Sequence, residues 1–171
     1  MDGEIIVKKI KIAAAIVGVV ILLINGVWFA YWCSFIKYKN AVGFNGDYYG
    51  TTDSQGYRYE VFSPKYMNFS GNLVISNLVL GDGFTETRYG LYIWKSFTGK
   101  YEFGIRVYIP DEDDPTGLSY GFYEFLVDET GKLLSTEEYS SEELQVFEKS
   151  KDDIALLLKK SNDMWEIGLV R

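Results

Sequence analysis

Hydrophobic and polar positions divide the chain in two. From Ile12 to Ile36 no residue carries a formal charge, and lysines bound the run, Lys8, Lys9 and Lys11 before it and Lys37 and Lys39 after it. At about 1.5 Å per residue the run makes roughly 38 Å of helix, against a hydrocarbon core of about 30 Å. The pattern predicts a single transmembrane signal-anchor helix over 12–36, crossing at about residues 10 to 33, with a cytoplasmic tail at 1–11. Trp28, Tyr31 and Trp32 gather at its C-terminal end, where amphipathic rings sit at the membrane interface. Asn25 is the one strongly polar side chain in the run and a candidate contact with another membrane helix.

Rival readings of this run fit less well. A cleaved signal peptide needs small residues at the third and first positions before the cut, and the pairs on offer set Trp28 with Ala30 or Trp32 with Ser34. Cys33 follows Trp32, whereas a lipid-modified cysteine follows a small residue, so it reads as an interfacial thiol. A soluble core helix is seldom this long, charge-free and flanked by lysines. Three lysines and the amino terminus on one side against two lysines on the other lean towards the N-terminus inside the cell and the C-terminal part outside.

Beyond the membrane, residues 37–46 read as a short polar linker that holds the domain at 47–171 close to the bilayer. Tyr57, Tyr59 and Val61 then alternate with Arg58 and Glu60 until Ser63-Pro64, the period of a half-buried strand. Asn72–Leu80 and Tyr89–Phe97 are more continuously apolar and hence more central. The turn Thr98-Gly99-Lys100 should fold the second of these onto Tyr101–Ile109, the clearest alternating strand. Tyr120–Asp128 repeats the pattern, and Leu133 onward reads as its returning strand. Gly90 and Gly121 stand in similar Tyr-Gly segments and predict bulges or rings lying over the backbone.

Ser140–Ser161 is the one amphipathic helix of the domain. Ser140 and Glu143 suit a capping box, Leu144, Phe147, Ile154, Leu157 and Leu158 recur at helical spacing, and Lys159 and Lys160 fall in the last turn. The tail from Met164 to Val170 suggests a final strand. The expected class is α+β: one N-terminal transmembrane helix, an antiparallel sheet of about six or seven strands, and one C-terminal helix packed on it.

Charge and composition narrow the chemistry. The net charge is −7; the first 39 residues hold five lysines and two acids, so the remainder carries 12 basic and 22 acidic groups, a net of −10. Nucleic acid is therefore not an expected partner, since phosphate binding needs clustered Lys and Arg. No histidine occurs and the single cysteine lies in the apolar run. These absences remove Ser-His-Asp and Cys-His catalysis and histidine-ligated zinc. No nucleotide-binding fingerprint is present, and no catalytic residue or cofactor is predicted.

Two acidic features remain. Asp111, Asp113 and Asp114 could offer oxygen ligands to calcium, but Pro115 and Thr116 stand where an EF-hand would continue. Glu60, Glu102 and Glu124 lie within strand patterns and would be the acids of a carboxylate-dependent hydrolase acting on surface glycans. The first expectation is instead a non-enzymatic, membrane-anchored module that binds a protein, peptide or cell-wall polymer. Of the 29 aromatic residues, 23 follow residue 40, enough to build a core and leave some rings for a binding surface.

Overall fold

The computed structural model describes residues 2–81, 84–110 and 120–169. Helix α1, Asp2–Cys33, contains the apolar run; it is long and apolar enough to cross a membrane, and none of its most apolar window is buried by the rest of the chain. A turn at Ser34, whose hydroxyl donates to the Tyr31 carbonyl at 2.6 Å, leads into helix α2, Ile36–Val42.

Helix α2 stands where a polar linker was expected. Phe35, Tyr38 and Val42 repeat at helical spacing and are buried. Lys37 and Lys39 stay outside them, the Lys39 ammonium lying over the Trp32 and Tyr49 rings at 4.9 and 4.7 Å from their centroids. The Tyr38 hydroxyl pairs with that of Tyr101 at 2.6 Å. Helix α1 and the domain are thus joined by a packed element rather than a loose connector.

Seven strands follow: β1 (Phe44–Asn45), β2 (Tyr48–Thr52), β3 (Tyr57–Phe62), β4 (Asn72–Gly81), β5 (Phe84–Lys95), β6 (Tyr101–Pro110) and β7 (Tyr120–Val127). Each pairs antiparallel with the next, giving one sheet in sequence order. The β4–β5 register slips between Asn77 and Leu78, leaving Arg88 as the extra residue of a bulge, while Gly90 pairs in register with Ser76. The Tyr92 ring lies 3.1 Å from where a Gly90 side chain would begin, as expected of a ring over the backbone; among the described residues nothing covers Gly121 in that way.

Two helices complete the domain, α3 (Ser141–Lys149) and α4 (Lys151–Trp165). The predicted capping box is present: Ser140 Oγ accepts from Glu143 N at 3.2 Å and Glu143 Oε2 from Ser140 N at 2.7 Å. The single helix expected over 140–161 is broken at Ser150, whose buried hydroxyl donates back to the Val146 carbonyl at 2.8 Å. Helix α4 also runs on to Trp165, so Lys160 is not in its last turn. It reaches Asp53 instead, at 2.8 Å.

The tail forms no strand through Leu169; Asn162 Oδ1 accepts from both Gly168 N and Leu169 N at 3.1 Å and holds it against α4. Nor does a strand return at Leu133, which makes one isolated bridge to Val127. The core lies between one face of the sheet and helices α2, α3 and α4: Leu73, Ile75, Leu91, Ile93, Ile105 and Phe125 meet Phe35, Tyr38, Phe147, Ile154 and Leu157.

Candidate binding face

Alternation along each strand sends every second residue to the face that the helices leave uncovered. The register aligns Gly50, Glu60, Val74, Tyr92, Gly104 and Leu126 in one row across it, with Arg58, Ser76, Gly90, Arg106 and Glu124 in the next. The rings are set by gaps. Gly104 leaves room for Trp94, which lies so close over it that a Cβ there would be 2.7 Å from the indole. Trp94 in turn stacks on Tyr92, centroids 6.1 Å apart.

Arg106 is the centre of this face. Its Nε donates to Glu124 Oε2 at 2.8 Å, and its guanidinium lies 4.5 Å from the Tyr92 centroid and 4.8 Å from that of Phe122. A cation between two rings is favoured by the negative potential of their faces. The Glu124 hydrogen bond is the largest reason that Arg106 holds its proton more tightly than usual. Burial, with a hydroxyl contact to Tyr108 at 3.2 Å, pushes Tyr92 up to about 12, so its phenol stays protonated at neutral pH. The cluster can stack and donate hydrogen bonds.

The β7 edge of this face exposes large apolar side chains. Phe122 is 51% exposed and Leu126 44%, on the last strand of the sheet. Towards β3 a cavity of about 440 Å³ opens between Phe62, Lys65, Asn68, Val74 and Tyr92. Asn72, which also lines it, has a buried Oδ1 without a hydrogen-bond partner among the described residues. A buried acceptor left unpaired costs about 1–3 kcal/mol, which a ligand donor would recover. A larger cavity, about 740 Å³, lies between α4 and the turn at Glu129 and Thr130. Its Asn162 oxygen is already committed to the tail.

The three strand glutamates are not brought together. Glu60 pairs with Arg58 at 2.7 Å and Glu124 with Arg106, and four strand spacings, about 19 Å, separate these two acids. Glu102 stands opposite Trp94, four residues along β6 from Arg106. Hydrolysis by two acids needs them roughly 5–10 Å apart. Asp111, Asp113 and Asp114 lie outside the described residues.

The residues expected at the membrane interface form a separate group. Tyr31 is buried in the domain, its hydroxyl donating to the Lys95 carbonyl at 2.6 Å with the Phe69 carbonyl 3.0 Å away as the alternative acceptor. Trp28 Nε1 donates to the Lys65 carbonyl at 3.1 Å, while Trp32 stacks on Phe29. Asn25 bonds within the chain on both sides: Nδ2 donates to the Ile21 carbonyl at 2.8 Å and Oδ1 accepts from the Tyr66 hydroxyl at 2.6 Å. The β3–β4 loop that supplies these partners gave no sign of reaching the helix in the sequence.

No family model matches this chain, and comparison with curated proteins and with solved structures gives no match either.

Proposed function

We propose that this chain is a single-pass, membrane-anchored, non-enzymatic module whose C-terminal domain lies outside the cytoplasm and binds a protein, peptide or cell-wall polymer on the uncovered face of its sheet. The anchor is supported by the bareness of α1: a soluble core helix buries its apolar side chains, and here Ile16, Leu22 and Leu23 are each more than half exposed. The orientation rests on lysine bias, and protease added to intact cells should remove the C-terminal domain. Full protection would reverse it.

The binding reading is carried by Arg106 held between Tyr92 and Phe122, next to exposed Leu126. Aromatic residues and arginine are enriched where partners are held, because they offer large contact area and directional donors together. A photo-crosslinking residue replacing Glu102, which projects from this face beside Trp94, should give a discrete adduct in native membranes. The same residue replacing exposed Gln145 on α3 should not. Equal labelling from both positions, or none from position 102, would count against the face as the binding surface.

A further inference from the structure

The domain carries a second apolar surface, at the end of the sheet where α1 enters. Tyr66 is 65% exposed and Phe97 69%, with Met67 and Phe69 also in the open. They form a continuous patch with the top of the helix: Trp28 meets Tyr66 edge-on at 4.9 Å, Phe69 lies 5.1 Å from Tyr31, and Phe97 lies 6.1 Å from Phe69. Four large apolar side chains grouped on two turns call for a partner, since soluble loops are seldom built this way.

Charge, depth and polarity identify that partner. The segments 63–71 and 94–101 contain Lys65, Lys95 and Lys100 and no acid, Glu102 lying just past them, although the domain as a whole is strongly acidic. Lysines around an apolar patch suit phospholipid headgroups. At 1.5 Å per residue, Asn25 stands only about 21 Å along the helix from Lys11, less than the roughly 30 Å of hydrocarbon. With Lys11 at one boundary, the loop bound to Asn25 reaches the other boundary or passes below it. The pairing of Asn25 with Ile21 and Tyr66 satisfies an amide that lipid could not.

We infer that Tyr66, Met67, Phe69 and Phe97 seat in the headgroup and acyl boundary of the bilayer beside α1, so that the domain is pinned to the lipid by two loops as well as by its helix. The inference rests on the anchor reading and fixes which end of the domain faces the membrane. The uncovered sheet face would then stand upright from the surface instead of lying on it.

The test uses the full chain, with Cys33→Ala, in vesicles of phosphatidylcholine with a minority of phosphatidylglycerol. Spin labels are placed through Met67→Cys, Phe97→Cys and, in the distal β2–β3 turn, Gln55→Cys. Labels at 67 and 97 should lose collisions with a water-soluble nickel chelate and gain them with oxygen, while the label at 55 stays fully aqueous. Aqueous behaviour at all three positions in protein that resists alkaline carbonate extraction would overturn the lipid contact and leave the anchor standing. Release of the protein by carbonate would overturn both.

Discussion

On strands β3 to β7, residues facing the helices and residues facing away alternate one by one, yet the two sets meet opposite fates. Leu73, Ile75, Leu91, Ile93, Ile105 and Phe125 are wholly enclosed, each position held by contacts from several directions. On the other face Tyr92, Trp94, Arg106 and Phe122 are ordered instead by pairs: a ring over a glycine, a cation between rings, an ion pair. Burial of a large apolar side chain contributes about 1.5–3 kcal/mol, whereas such exposed pairs contribute about 1 or less. The inner set therefore carries the stability, and the outer set is free to be selected for something else.

That contrast can be broken from either side. The largest effect should come from Phe125→Ala, which empties a site packed by Tyr139 and Phe147 with centroids 5.2 and 5.1 Å away. A loss of about 3–5 kcal/mol in urea unfolding is expected, and a loss below about 1 would mean that the inner face is not what holds the domain.

Asp53→Ala should cost about 2 kcal/mol, because Asp53 accepts from Gln55 N, Tyr57 N and the Tyr59 hydroxyl and ties the β2–β3 turn to α4 through Lys160. Its pH dependence sharpens the point. Burial acts to raise the Asp53 pKa, but Lys160 and the other donors outweigh it and hold the carboxyl below its usual value. The stabilisation is thus complete above about pH 4 and is lost as pH falls through the lower folded pKa. Wild-type protein should lose more stability than Asp53→Asn between about pH 4 and 2, and parallel acid titrations would remove this tie from the account.

Ser140→Ala removes the N-cap of α3 and should cost about 1 kcal/mol, readable as a lowered unfolding midpoint. The smallest effect on folding should come from the outer face: Phe122→Ser combined with Leu126→Ser should change stability by no more than about 1 kcal/mol.

Much of this arrangement was legible in the chain. The alternation at Tyr101–Ile109 named the correct inner residues, Phe103, Ile105 and Val107, and the stripe through Phe147, Ile154, Leu157 and Leu158 named the helical ones. Helix α2 was hidden because Lys37, Lys39 and Asn40 give 37–46 a polar composition, while its apolar positions begin at Phe35, inside the charge-free run. The break at Ser150 has no strong local signal, since a serine can bond back within a continuing helix as readily as end one. On the uncovered face, Arg106 read only as the outward partner of an alternating strand, and Glu124 only as one of three acids set within strand patterns. Their meeting depends on the β6–β7 register, which pairs them directly across more than a dozen intervening residues.

The central claim is that the uncovered face serves binding and not folding. It is tested most directly by carrying the crosslinking residue at position 102 into the Phe122→Ser, Leu126→Ser background and measuring adduct yield and unfolding free energy on the same preparation. Binding through this face requires loss of the adduct with stability nearly unchanged. An adduct at full yield from an equally stable protein would contradict it.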